Sequence, residues 1–148
     1  MAFASIKINQ SDLAQLNKKL AYLKGYDRKE LSTELARTAL DIVRTAQKSV
    51  VVDKGTLKQS IGAEASGKKI SVFAKAHYAP YVEFGTGGMV STEDMQQLGI
   101  PDSYAMQFKG EGKREVNLPA RPFFFSSVRI EYKKMLERIT KKIKNRLR

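Results

Sequence analysis

Glu83 and Arg121 are the side chains of this chain whose surroundings most demand a chemical explanation. Glu83 lies in Tyr78-Ala79-Pro80-Tyr81-Val82-Glu83-Phe84-Gly85-Thr86-Gly87-Gly88, a carboxylate set among three aromatics and followed by three glycines. A carboxylate drawn into such an apolar setting needs a partner. Arg121 lies in Leu118-Pro119-Ala120-Arg121-Pro122-Phe123-Phe124-Phe125 and is the partner the composition suggests. A bidentate Arg–carboxylate pair would tie the two segments together. Whether it would close within one subunit or between two is left open by the sequence.

Other chemistry is thin. His77 is the sole histidine, and before Tyr-Ala-Pro it reads as a structural or surface residue. Gly85-Thr86-Gly87-Gly88 and Gly110-Glu111-Gly112-Lys113 match neither G-x-x-x-x-G-K-[ST] nor G-x-G-x-x-G, and both read as turns. Glu93, Asp94 and Asp102 lie close in sequence, but their spacing fits no calcium loop. With no cysteine, thiolate metal sites and disulfides are excluded. No catalytic residue, cofactor or metal is expected, and an enzyme is the least favoured class.

The aromatic residues carry more. Tyr78, Tyr81 and Phe84 recur at i, i+3 and i+6, so a helical turn would gather them on one side. They read either as core, each ring worth about 1.5–3 kcal/mol when buried, or as a surface for a partner. Phe123-Phe124-Phe125 opens a helix, and a helix can turn only part of that run toward one core. At least one ring must face another element or another chain, so Phe123 and Phe124 join Tyr78, Tyr81, Glu83, Phe84 and Arg121 as expected interface residues.

These residues need elements to position them. Ser11 is placed to cap a first helix in which Leu13, Leu16, Leu20 and Leu23 share a face, with Gly25 ending it. Asp27, with Glu30 three residues on, starts a second helix lined by Leu31, Leu35, Ala39, Ile42, Ala46 and Val50. Asp53-Lys54-Gly55-Thr56 is a turn. Residues 61–65 and 70–74 read as two strands of a hairpin around Ser66-Gly67-Lys68-Lys69. A short helix begins at Pro80 and stops at Gly85. In 88–117, a helical turn or two bounded by Ser91 and Gly99 is followed by a second hairpin pairing 104–108 with 114–118; alternatively the stretch is a loop. Pro122 then opens a long helix carrying Phe125, Val128, Tyr132, Met135, Ile139, Ile143 and Leu147 on one face. The expected fold is α+β: N-terminal helices, a small antiparallel sheet of two hairpins and a long C-terminal helix. It reads as one domain over 1–148, with 88–117 a loop or hairpin insertion.

Charge supplies the second theme. The 148 residues carry a formal net charge of +12, which favours a polyanionic neighbour. From Arg129 to Arg148, nine Lys or Arg face Glu131 and Glu137, so over half the excess lies in the last helix. A solvated polar face is the plain reading of such a run. The sharper one puts Lys134, Arg138, Lys141, Lys142 and Lys144 near DNA, screening phosphates without reading bases. No apolar run approaches the roughly 20 residues that span a bilayer, and Met1 to Asn9 has no signal-peptide pattern. A soluble protein made in the cytosol, without a membrane partner, is expected.

Three segments together resemble one family. Val52-Asp53-Lys54-Gly55-Thr56-Leu57-Lys58-Gln59-Ser60-Ile61, Tyr78 to Gly87 and Pro119-Ala120-Arg121-Pro122-Phe123 occur in this order in the small tail-component proteins of lambda-like, long-tailed bacteriophages, described as head–tail joining, tail-completion or minor tail proteins. Lys54 stands where that family commonly carries Thr. The resemblance runs from about Leu31 to the last helix. It implies a structural virion protein of the neck or upper tail, assembled in the host cytoplasm as a ring of roughly six subunits or a multiple, around the DNA channel. Implied partners are further copies, neighbouring neck and tail proteins, and nonspecific double-stranded DNA. It implies no catalytic residues and no cofactor. The alternative is a nonspecific nucleic-acid-binding protein acting through its basic C-terminal helix.

Overall fold

The computed structural model describes residues 9–26, 29–50, 55–90, 92–97, 99–109 and 117–148. Helix α1 spans Gln10–Tyr26. Its cap is Asn9, whose Oδ1 accepts the Ser11 N–H at 3.1 Å, so the cap falls two residues before the expected Ser11. Gly25 is inside the helix rather than beyond it. Helix α2 runs Glu30–Ser49, with Ala39, Ile42 and Ala46 buried as their spacing predicts; Asp27, its expected start, lies outside the described residues. Helix α3, Thr56–Ser60, follows Gly55 at φ +75°. Asp53 and Lys54 of the expected turn lie outside the described residues.

Strands β1 (Ile61–Ser66) and β2 (Lys69–Ala74) form the predicted antiparallel hairpin, Ile61 opposite Ala74 and Ser66 opposite Lys69. Gly62 faces Phe73, whose ring covers the place where a Cβ would stand, 3.0 Å away. Helix α4 is Ala79–Phe84, with Pro80 in its first turn and Gly85 ending it. A single 3-10 turn (Gly87–Met89) leads to α5 (Thr92–Gln97) and α6 (Asp102–Lys109). Helix α7 is Phe125–Leu147, starting three residues later than Pro122.

The fold is α+β, but among the described residues its sheet is one hairpin, not two. Tyr104 to Phe108, expected as a strand, is helical. One turn of α6 lets Tyr104 and Phe108 both reach Phe84, at ring distances of 6.1 and 5.4 Å. In a strand the two would share a face but stand about 13 Å apart, too far for both to meet one ring. Residues 114–116 of the other proposed strand lie outside the described residues.

Two apolar clusters hold the chain together. Ala46, Val50, Leu57, Ile61, Ala79 and Phe123 form the first, joining α2, α3, the hairpin and α4 to the start of α7. Phe84, Val90, Met95, Ile100 and Phe108 form the second, beneath α5 and α6. Helix α7 then lies antiparallel along α2, since Thr45 meets Glu131 and Glu34 meets Arg138 and Lys142.

Candidate assembly site

The two sequence motifs meet. The chain at 84–88 packs backbone to backbone against 117–121, and the glycines permit it. A Cβ at Gly85 would lie 2.6 Å from the Leu118 carbonyl oxygen and 2.8 Å from the Ala120 nitrogen; at Gly87 it would lie 2.0 Å from Asn117 Oδ1. Both glycines have positive φ, +76° and +61°, where a side chain is strained as well as crowded. The Thr86 N–H donates to Leu118 O at 2.9 Å, and the Leu118 N–H returns a bond to Thr86 Oγ1 at 2.9 Å. Gly88 N–H donates to Asn117 Oδ1 at 3.0 Å, and Arg121 N–H to Val82 O at 2.8 Å. Residues 117–121 thus form a strap bonded along α4 and its glycine turn.

Glu83 lies beneath that strap, 4% exposed. Its Oε2 accepts the N–H groups of Phe123 and Phe124 at 2.7 and 2.9 Å, and its Oε1 accepts that of Phe125 at 3.0 Å. These donors are the free amides at the start of α7, where no intrahelical carbonyl is available. The positive end of the helix dipole favours a carboxylate in this place. Glu83 is therefore the N-terminal cap of α7, supplied from α4 rather than from the helix's own sequence.

The Glu83–Arg121 pair does not form within the chain. Arg121 is exposed, and the carboxylate that was to bind it is occupied by three amides. The strap does link the two motifs, but through main-chain bonds. Of the other expected interface residues, Phe84 and Phe123 lie in the chain's own core at 5% and 1% exposure. Tyr78 and Phe124 pack against the first cluster, and Tyr81 packs on the second, its ring 5.4 Å from that of Phe108. The run of three phenylalanines is divided between the clusters, Phe125 turning to Phe84 at 5.7 Å.

The basic helix is divided too. Lys134 Nζ is 2.9 Å from Glu131, a buried carboxylate that also accepts from Thr45 Oγ1 at 2.9 Å. Arg138 Nε and Lys142 Nζ reach buried Glu34 at 2.9 and 2.6 Å, and Arg138 also donates to Thr38 Oγ1. Lys142, with help from Arg138, holds the Glu34 carboxyl below the ordinary carboxylate range although burial opposes it. Lys134, then Thr45, does the same for Glu131. The bond to Glu34 in turn raises Lys142. Of the five expected DNA-proximal cations, Lys134, Arg138 and Lys142 are tied to buried acids, Lys134 and Lys142 with their side chains still half exposed, while Lys141 and Lys144 are exposed beside Lys133 and Arg148.

Among the described residues no three His, Asp or Glu side chains converge on a metal position. No described helix is long and apolar enough to cross a membrane. What the site can do is mechanical: it fixes where α7 starts and which face it turns outward.

No curated protein and no solved structure matches the chain. The matched segment of a family model starts within α1 and ends at Gly85, covering α2, the hairpin and α4 but not the strap or α7. Through it, residues 14–85 are similar to the family described as "Bacteriophage HK97-gp10, putative tail-component".

Proposed function

We propose that this chain is a structural, non-catalytic virion protein of the phage neck or upper tail, joining others of its kind in a ring of roughly six subunits or a multiple around the DNA channel. Its similarity to phage tail components supports the class. One structural observation carries the reading from class to assembly. With the aromatic motifs used inside the protomer, large apolar side chains still stay exposed, among them Leu40, Leu118, Ile130, Tyr132 and Leu136. Tyr132 and Leu136 stand one turn apart on α7, and adjacent exposed apolar side chains of this size mark contact surfaces. Tyr78, Tyr81, Glu83, Phe84, Phe123 and Phe124 act indirectly, by holding the strap; Leu118 and Arg121 on it are offered to a neighbouring subunit.

Electron microscopy of particles made without the gene tests this. Filled heads and separate tails, or tails of aberrant end or length, are the expected result. Normal particles would overturn it.

A second reading, nonspecific DNA binding, has one observation in its favour: Lys133, Lys141, Lys144 and Arg148 share the outer face of α7. Four phosphate contacts predict a salt slope of about −3.6 and a loss of about 150-fold in affinity between 50 and 200 mM salt. Nine contacts would give a slope of about −8 and a loss near 10⁵-fold. Binding that persists at 200 mM salt and disappears in a K141E/K144E variant would favour this reading as the main function.

A further inference from the structure

Leu13, Leu16, Leu20 and Leu23 follow one another at steps of three, four and three, the a and d positions of two heptads. They are 41, 52, 45 and 37% exposed, while Ala39, Ile42, Ala46 and Val50 of the matching α2 stripe are buried. The reason is how α1 attaches. It is held at its C-terminal end by Tyr26, which is buried, and by Tyr22, whose ring lies 6.0 Å from that of Tyr26 and 5.3 Å from the Arg146 guanidinium. At about 100° per residue, the two tyrosines point roughly a third of a turn away from the leucines. The most apolar face of α1 is therefore left without a partner among the described residues.

We propose that this face docks an amphipathic helix of a different protein, one whose own heptad seam is flanked by acidic side chains. The heptad spacing specifies a helix, because leucines repeating at this period seat into the holes of a facing helix. Charge specifies the flanks. The positions beside the seam include Lys19 and Lys24, with Lys18 behind them, and Asp12 is the one acid in α1. None of the three lysines forms an ion pair among the described residues. A second copy is disfavoured on the same ground. A parallel pair sets Lys19 against Lys24 of the other copy, and an antiparallel pair in register sets Lys19 against Lys19. Flanking pairs of this kind choose partner and orientation. The inference stands on α1 alone and does not depend on the tail reading.

The test uses the full chain and two labelled three-heptad peptides with Leu at a and d, one carrying Glu and the other Lys at e and g. Fluorescence anisotropy at 50 mM salt should give at least tenfold tighter binding of the Glu peptide. L16S/L20S, which changes exposed positions, should keep the melting temperature and weaken that binding at least tenfold. K19E/K24E should reverse the preference between the peptides. Equal binding of both peptides, binding of neither, or no loss in L16S/L20S would overturn the proposal. So would a dimer in sedimentation that L16S/L20S splits, which would make the occupant a second copy. Retention on anionic lipid vesicles that depends on Leu16 and Leu20, without peptide binding, would assign the face to a membrane instead.

Discussion

Replacing Glu83 separates the structural account of the two motifs from the ion pair their sequence suggests. The carboxylate receives three backbone N–H groups at 2.7, 2.9 and 3.0 Å and is 4% exposed. Hydrogen bonds to a charged group contribute about 1.5–3 kcal/mol each, less than additively when they share an acceptor. A negative charge at a helix start adds about 0.3–2 kcal/mol. Glu83→Gln keeps one acceptor oxygen, loses the charge and turns an NH₂ toward at least one amide, so a loss of about 2–3 kcal/mol is expected. Glu83→Ala leaves all three amides without their acceptor and should cost about 3–5 kcal/mol. For a domain of this size, the Gln change corresponds to a fall of about 4–12 °C in melting temperature. Arg121→Ala should stay within about 0.5 kcal/mol, because its exposed guanidinium does not hold the carboxylate. Urea unfolding of the three single variants and the E83Q/R121A double variant, with circular dichroism at 222 nm as the readout, measures all of this. The reasoning is refuted if Glu83→Gln is as stable as the parent. It is equally refuted if Arg121→Ala loses as much as Glu83→Gln and the double variant loses no more than either.

Glycine substitutions should rank by what the new Cβ meets: Gly85→Ala is the most costly because it strikes main chain at 2.6 Å, Gly87→Ala displaces the Asn117 side chain, and Gly67→Ala, with open space at φ +58°, loses only about 1–2 kcal/mol for its backbone; unfolding free energies in any other order would count against the strap. Because Glu34 and Glu131 have folded-state pKa values below their unfolded ones, their stabilisation is complete above about pH 4.3 and is lost as pH falls through the lowered values. Lys142 is raised, so its share is complete below about pH 10.4 and is lost as pH climbs through the raised value; E34Q should flatten both limbs of the stability–pH curve, and unchanged limbs would contradict the pairing. The Tyr26 hydroxyl is buried without a hydrogen-bond partner among the described residues, and burial pushes its pKa up. Tyr26→Phe should therefore be neutral or stabilising by up to about 1 kcal/mol, and a comparable loss of stability would show a hidden partner.

Much of the fold could be read from residue spacing. The α2 stripe and the hairpin between residues 61 and 74 are local patterns, and they form where the spacing puts them. What local pattern does not carry is which distant group satisfies a helix end. The start of α7 has no capping side chain of its own, and its acceptor comes from forty residues earlier. A carboxylate among aromatics signals that a partner exists, but arginine and a helix terminus meet that need equally well. Glu34 was more accessible to reasoning. It stands three residues after Leu31 and four before Thr38, within the apolar face rather than opposite it. Glu131 likewise falls between Val128 and Met135 on the inner face of α7. Acids at core spacing on two helices imply facing cations, and Arg138 and Lys142 answer Glu34. The α5–α6 stretch was obscure because its helices are short and polar and are fixed by Phe84, Met95 and Phe108.

The same pairing bears on how copies of this chain would meet. Three buried carboxylates, Glu34, Glu83 and Glu131, all act on α7: Glu83 binds its first amides, and Glu34 and Glu131 pair with Lys134, Arg138 and Lys142. Among the cations left exposed are Lys133, Lys141, Lys144 and Arg148 on one face of α7 and Lys18 and Lys24 on α1. In a molecule of net charge +12, like copies repel one another overall as they approach. At 0.1 M ionic strength the screening length is about 10 Å, and at 0.01 M about 30 Å. Self-association of the isolated chain should accordingly strengthen as salt rises, while contact with DNA or an acidic helix should weaken. Sedimentation equilibrium between 50 and 500 mM salt, set beside anisotropy with duplex DNA over the same range, would display the opposite signs. If self-association instead weakens with salt, attractive charge pairs between subunits dominate, and Arg121 on the strap becomes the first cation to test.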